Sequence, residues 1–282
     1  MQHKTSNPLS GYFRQPAIYL TLPSQGRWWP IDSLDMPDNN ELPIFPMTAR
    51  DEVIIRTPDA LLNGQGVVDV VQSCCPNIKN AWQMPSIDID AVLISIRIAT
   101  YGPLMSFSSQ CPYCKSNNTH EIDLGKPLES IKCPDFDQTL GYQDLKIKLK
   151  PQYYLEVNKT NMVSYEEQKI IQTLNNENID NDTRLAQVTL AMQKIIDIGI
   201  NNCVNSVDYI EMPNGDRVIE KQHIKEFFQN AEKQAVTIVQ ERIEQIANDA
   251  KMTELQLSCE SCQEHYQTEL TFDYANFFAK GF

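Results

Sequence analysis

Apolar residues recur at spacings of three and four between Ser86 and Tyr101, at Ile89, Val92, Leu93, Ile96 and Ala99 or Thr100. That period predicts a helix with a buried stripe, ended by Gly102-Pro103. Asp88, Asp90 and Arg97 are the charges beside the stripe. Arg97 reads either as a solvated or carboxylate-paired side chain or as a contact to an acidic group of a partner. Upstream, Ile18 to Leu22 reads as a short strand stopped by Pro23-Ser24-Gln25-Gly26. Thr48 is placed to cap a helix with Asp51 at its third position, and Thr57-Pro58-Asp59 marks a second start. Val67, Val68, Val70 and Val71 predict a short apolar helix ending near Cys74-Cys75-Pro76.

Beyond Gly102 the period changes to two. Leu104 to Phe107, Thr119 to Leu124, Leu255 to Leu257 and His265 to Phe272 read as strands. Leu145 to Lys150 and Tyr153 to Val157, separated by Pro151-Gln152, predict a β-hairpin or paired edge strands with three lysines on one exposed face. From about Met162 the pattern is helical. Leu185, Val188, Met192, Ile195 and Ile196 form a stripe ending at Gly199, after a polar break at Asn175 to Asp182. Val204 to Ile210 and Arg217 to Ile219 flank a Pro213-Asn214-Gly215-Asp216 turn, and Ile224 to Ile246 keep helical spacing as one long stretch.

Composition narrows the classes. The 282 residues are 41% hydrophobic, enough for one large domain or two with real cores. The net charge of −13 disfavours a nucleic-acid partner. No apolar run approaches the roughly 18 residues of a membrane span, and Met1 to Ser6 has no apolar leader core, so no membrane partner is expected and a reducing cytoplasm fits the cysteines better than disulfides.

Among the eight cysteines, two pairs carry chemistry: Cys111-Pro112-Tyr113-Cys114 and Cys259-Glu260-Ser261-Cys262. Each C-x2-C turn points two thiols at one ion, and two such turns complete a tetrahedral zinc site. With all four positions taken by protein, a structural Zn2+ is favoured over a catalytic one. His120 and His265 lie near the knuckles as supporting or surface groups. The second knuckle and its outgoing strand hold Glu260, Glu264, Glu269 and Asp273 with no Lys or Arg, so the ribbon would repel a phosphate backbone. No nucleophile and base pair is recognisable, and no enzyme is expected.

The two knuckles stand 144 residues apart, so the fold class is α+β: a split four-cysteine zinc ribbon with an N-terminal helical region and a mixed, mainly helical insertion. The boundaries are 1–103 for the N-terminal region, 104–125 with 252–282 for the ribbon and aromatic C-terminus, and 126–251 for the insertion, with its hairpin at 142–158 and helices at 162–251. Aromatics at both ends suggest surfaces for a partner. Trp28 and Trp29 follow a turn and read as body-packed or as a docking arm, and Tyr274, Phe277, Phe278 and Phe282 close the chain.

The order of motifs carries a resemblance. Leu22-Pro23-Ser24-Gln25-Gly26, Pro46-Met47-Thr48-Ala49-Arg50-Asp51-Glu52, Leu62-Asn63-Gly64, Asp90 with Ile96-Arg97, Thr100-Tyr101-Gly102 and Cys111-Pro112-Tyr113-Cys114 follow in sequence. With Cys259-x2-Cys262 and the Asp273 to Phe278 segment, they resemble the baseplate hub assembly chaperone family of T-even-like contractile-tailed phages. The resemblance covers the N-terminal half and the C-terminal ribbon half and is weak from Cys133 to Met252. It implies a phage morphogenesis protein made in the host cytoplasm that binds baseplate hub or other tail proteins, either as a transient chaperone or as a subunit retained in the virion tail. A homo-oligomer within an assembly stays open. The competing readings are a zinc-ribbon nucleic-acid or transcription adaptor and a metal-dependent hydrolase.

Overall fold

The computed structural model describes residues 7–57, 64–176, 181–270 and 277–278, and within the long helices it leaves the side chains of 171–184 undescribed. The helix start at 58–63, the cap at Asp182 or Thr183, and Tyr274 and Phe282 therefore lie outside the described residues.

The N-terminal region opens with an antiparallel pair, β1 (Ile18–Leu20) and β2 (Leu42–Ile44). Helix α1 (Ala49–Ile55) starts as its residues dictate: the Thr48 hydroxyl accepts from the Asp51 N–H, and the Asp51 carboxylate accepts from the Thr48 N–H, a closed capping box. Helix α2 (Gln65–Cys74) buries its valines, and α3 runs from Ser86 to Tyr101. Helix α3 is apolar beyond one stripe, so it is covered on most sides, with Ile89, Ala91, Val92, Leu93, Ile94, Ser95 and Ile96 all buried. These elements form a first core that also receives Ile122, Leu124, Leu270, Phe277 and Phe278 from distant parts of the chain.

Two hairpins follow the cysteine knuckles. β3 (Leu104–Gln110) pairs with β4 (Asn117–Asp123), and far downstream β9 (Leu255–Ser258) pairs with β10 (His265–Thr268). A short helix, α4 (Gly125–Ser130), leaves β4.

The intervening residues differ from expectation in one important place. Leu145 to Lys150 and Tyr153 to Val157 do not form a hairpin. β6 (Leu145–Leu149) sits inside an antiparallel sheet between β5 (Thr139–Tyr142) and β7 (Val207–Glu211), and β8 (Arg217–Val218) closes the order β5-β6-β7-β8. Tyr154 instead begins helix α5 (Tyr154–Asn176), where the Glu156 carboxylate accepts from the Tyr153 N–H and the Tyr154 ring stacks on Trp82 at 5.5 Å. An acid three residues after the cap position is a helix-start device, and it outweighs the short alternation. Ile147 and Leu149 point into a second core while the three lysines occupy the opposite face.

Helix α6 (Asn181–Ser206) continues through Gly199 rather than stopping there. The stretch from Ile224 to Ile246 is two helices, α7 (Lys221–Asn230) and α8 (Lys233–Asp249), separated at Ala231-Glu232. Both pack on the sheet through Ile224, Phe228, Val239 and Ile246.

Candidate metal centre

The two knuckles have the same backbone construction. In the first, Lys115 N–H donates to Cys111 O at 3.0 Å and Cys111 N–H to Ser116 O at 2.9 Å; in the second, Gln263 N–H donates to Cys259 O at 2.9 Å and Cys259 N–H to Glu264 O at 2.9 Å. Lys115 and Gln263 both take positive φ, 63° and 64°, which turns each chain back onto its outgoing strand. Identical turns present identical pairs of thiols.

The four sulfurs of Cys111, Cys114, Cys259 and Cys262 lie within 4.8 Å of one another. Two cross-knuckle separations are 3.8 Å, Cys111 to Cys262, and 3.5 Å, Cys114 to Cys259. Tetrahedral zinc with bonds of about 2.3 Å requires sulfurs about 3.8 Å apart, so the residues fit a four-thiolate ion. Cys111 and Cys259 are buried, whereas Cys114 is exposed at the rim.

Neighbouring groups bias two of the thiols, Cys114 and Cys259, toward ligation. The Ser116 hydroxyl sits 3.0 Å from Cys114 Sγ and 3.2 Å from Cys259 Sγ, and the Cys262 N–H donates to Cys259 Sγ at 3.5 Å. With the Ser116 hydroxyl and then the Cys262 N–H supplying the main bonds, Cys259 is drawn down to about 5. Cys114 is lowered chiefly by the same hydroxyl. The Glu264 backbone bond lowers Cys262, but burial and the three neighbouring sulfurs outweigh it and push Cys262 up to about 12. Four thiolates in one place repel each other, and a divalent cation removes that penalty.

The knuckles are also held by groups that the C-x2-C spacing does not reveal. Buried Asn118 accepts from the Glu260 N–H at 2.9 Å and donates to Ser116 O at 3.1 Å, tying one knuckle to the other. The Tyr266 hydroxyl bonds Ser109 Oγ at 2.7 Å and reaches His120 Nε2 at 3.3 Å. His120 thus supports the ribbon through Tyr266. Only the hydroxyl two residues after Cys114 hinted at Ser116 in the sequence. Cys74, Cys75 and Cys203 serve packing: burial pushes Cys74 up to about 12 and both Cys75 and Cys203 up to about 11.

Among the aromatic candidates for partner contact, Trp28 and Trp29 are half-buried and Phe277 and Phe278 are buried. Trp29 Nε1–H donates to the Asp88 carboxylate at 2.8 Å. The Trp28 ring lies 5.1 Å from Phe136, with Arg27 over it at 4.2 Å, and Arg27 pairs with Asp137 at 2.9 Å. The turn at Trp28 therefore fastens the N-terminal region to the loop before β5. Phe277 and Phe278 are buried in the first core, because a helical i, i+1 aromatic pair there fills space against α3. Arg97 is also buried, 4% exposed, beneath the Tyr101 and Phe277 rings at 5.2 and 5.8 Å. Its Nε and Nη1 have no hydrogen-bond partner among the described residues.

These features define a mixed α/β protein with two cores whose distant hairpins meet at a cysteine cluster able to hold a metal ion. The chain belongs to the family described as T4 bacteriophage base plate protein, which matches residues 30–279. It is a T4-like phage baseplate protein, with a structural or assembly role in the tail and contacts to other phage tail proteins. Comparisons with curated proteins and with solved structures find no match. Among the described residues, no helix is long and apolar enough to cross a membrane.

Proposed function

We propose that the protein acts at the baseplate hub by protein–protein binding, as an assembly chaperone or as a retained hub subunit, and that Cys111, Cys114, Cys259 and Cys262 hold a structural Zn2+. The observation that carries this reading is the family match across residues 30–279, which spans both knuckles and the whole insertion. The donor set supports zinc: four sulfurs within 4.8 Å of one another suit a soft tetrahedral ion used to fix structure. The acidic strands beside the knuckles, with Glu121, Asp123, Glu260 and Glu264 exposed, favour protein partners over nucleic acid. In this reading the chain is made in the host cytoplasm and works by presenting surfaces.

Quantitative mass spectrometry of purified mature tails separates the two versions. A retained subunit appears in fixed ratio to the other baseplate proteins, whereas a chaperone is present in infected-cell extracts and missing from tails. Co-purification with no tail protein from infected cells would remove the hub assignment altogether.

A further inference from the structure

The two knuckle hairpins lie side by side without forming one sheet. β3 pairs only with β4 and β9 only with β10, so each hairpin keeps an open edge. Which residues own those edges follows from the ladder. Cys111 N–H donates to Ser116 O at one end of the first hairpin and Leu124 N–H to Pro103 O at the other, which sets the alternation: Ile122 bonds β3, whereas Glu121 and Asp123 turn their N–H and C=O groups away from it. In the second hairpin, Cys259 N–H donates to Glu264 O, so Leu257 and Leu255 bond β10 and Gln256 turns outward.

These two edges face each other. A groove of about 450 Å³ is lined on one side by Glu121, Ile122 and Asp123 and on the other by Leu255, Gln256 and Leu257. Three consecutive residues of each strand line it, which a sheet edge offers; a sheet face would offer alternate residues. Side-chain ties close both ends: Asn118 accepts from the Glu260 N–H at 2.9 Å beside the knuckles, and Thr253 N–H donates to Ser130 Oγ at 3.1 Å at the far end. Because β4 leaves its knuckle and β9 enters its own, the strands run antiparallel across the gap.

We propose that the groove is a slot for one extended segment of a partner protein, which bonds Glu121 and Asp123 on one side and Gln256 on the other and turns two ribbons into a five-stranded sheet. The occupant is set by what lines the slot. Outward N–H and C=O groups on both walls call for main chain in the β conformation. Glu121, Asp123 and Glu254 are exposed around it against the single Lys126, and Ile122, Leu255 and Leu257 lie between them, so the segment alternates basic with apolar side chains. The inference extends the protein-binding reading to a surface, and its test is independent of the hub: a peptide reads the slot, whereas co-purification from infected cells reads the hub.

Amide hydrogen exchange of the full zinc-loaded chain, with and without a Lys-Val alternating peptide of about ten residues, tests it. The peptide should slow exchange at Glu121, Asp123 and Gln256 by more than about tenfold, while Ile122 and Leu257, already bonded within their hairpins, change little. The same peptide N-methylated at alternate residues keeps its charge and should give no protection. Gln256→Pro removes an outward N–H that β10 does not use; it should weaken peptide binding by more than about tenfold with zinc content unchanged. Glu121→Gln with Glu254→Gln should weaken it further as salt rises. Absence of protection at millimolar peptide overturns the proposal, as does equal protection by the N-methylated peptide or indifference to Gln256→Pro. Slow exchange at the three amides in the free monomer would show the slot filled by the chain itself, and slow exchange that appears only as the sedimenting mass doubles would show it filled by a second copy; either overturns the partner segment.

Discussion

Asp88 is held by three hydrogen bonds in the N-terminal region. It is fully buried, and among the described residues it forms no salt bridge. Its carboxylate accepts instead from the Ser24 N–H at 2.8 Å, the Ser24 hydroxyl at 2.5 Å and the Trp29 indole at 2.8 Å. Burial outweighs these bonds and raises its pKa from 3.8 to about 6. The folded state then binds the proton more tightly than the unfolded chain does. The stabilisation is fully present below about pH 4 and is lost as pH rises through about 6, by roughly 3 kcal/mol at 1.36 per unit. In Asp88→Asn that titration is removed. Denaturant unfolding at pH 4 and pH 7 should show the variant gaining about that amount relative to the unaltered protein over this interval. A constant difference between the two proteins would show that Asp88 does not titrate there.

Arg97 poses the opposite question. A buried guanidinium with two donors unbonded among the described residues carries a desolvation penalty of several kcal/mol, and its ring contacts return about 0.5–2. Arg97→Met keeps the length and drops the charge. It should leave thermal stability unchanged or raise it by about 1 kcal/mol. A loss of more than about 2 kcal/mol would mean that the guanidinium is satisfied in solution.

At the scale of elements, the knuckle hairpins are too short to stand alone: β9 and β10 have four residues each, and two-stranded ribbons are marginal in water. Their joint core is small, Cys111, Cys259 and Tyr266 with Leu257 and Cys262 around them. If the four thiols hold zinc as proposed, the ion supplies much of their order. Cys259→Ser, or a zinc chelator, should abolish metal binding by elemental analysis. Fast amide exchange should appear across 104–123 and 255–268, while the β5-β6-β7-β8 sheet, with its own core, stays protected. Equal exchange everywhere would show that the ribbon and the sheet unfold as one unit. Helix ends in the insertion have separate anchors: Lys221 Nζ donates to Val204 O at 2.6 Å and Val207 O at 3.0 Å, satisfying carbonyls where α6 passes into β7.

For the whole molecule, the ties between parts far apart in sequence decide the shape. Arg27 and Trp28 reach the loop before β5, Ser86 N–H donates to Gln152 O at 2.8 Å, and Tyr154 N–H to Met84 O at 2.8 Å. Leu270, Phe277 and Phe278 return to the first core after the second knuckle. The meeting of the two knuckles is thus one of several closures, and the insertion is sewn to the N-terminal region along a second line. Phe277 and Phe278 are drawn inside, whereas Tyr12, Phe13, Tyr19 and Tyr113 stay exposed.

What the sequence determined by itself is everything encoded over a few residues. The α3 boundaries, the Thr48–Asp51 capping box, the strands at the knuckles and the paired C-x2-C turns all follow from local period and cap chemistry, and the motif order announced the baseplate family. Tertiary structure alone decided which faces those elements bury. Asp88 and Arg97 looked like flanking charges because a helical wheel cannot show that neighbours cover α3 on nearly every side. Phe277 and Phe278 looked available because their contacts come from residues some 180 positions earlier in the chain. Leu185, Met192 and Ile196 have the spacing of a core stripe yet stay exposed. Periodicity states that a face is apolar; only the packing of distant segments settles what covers it.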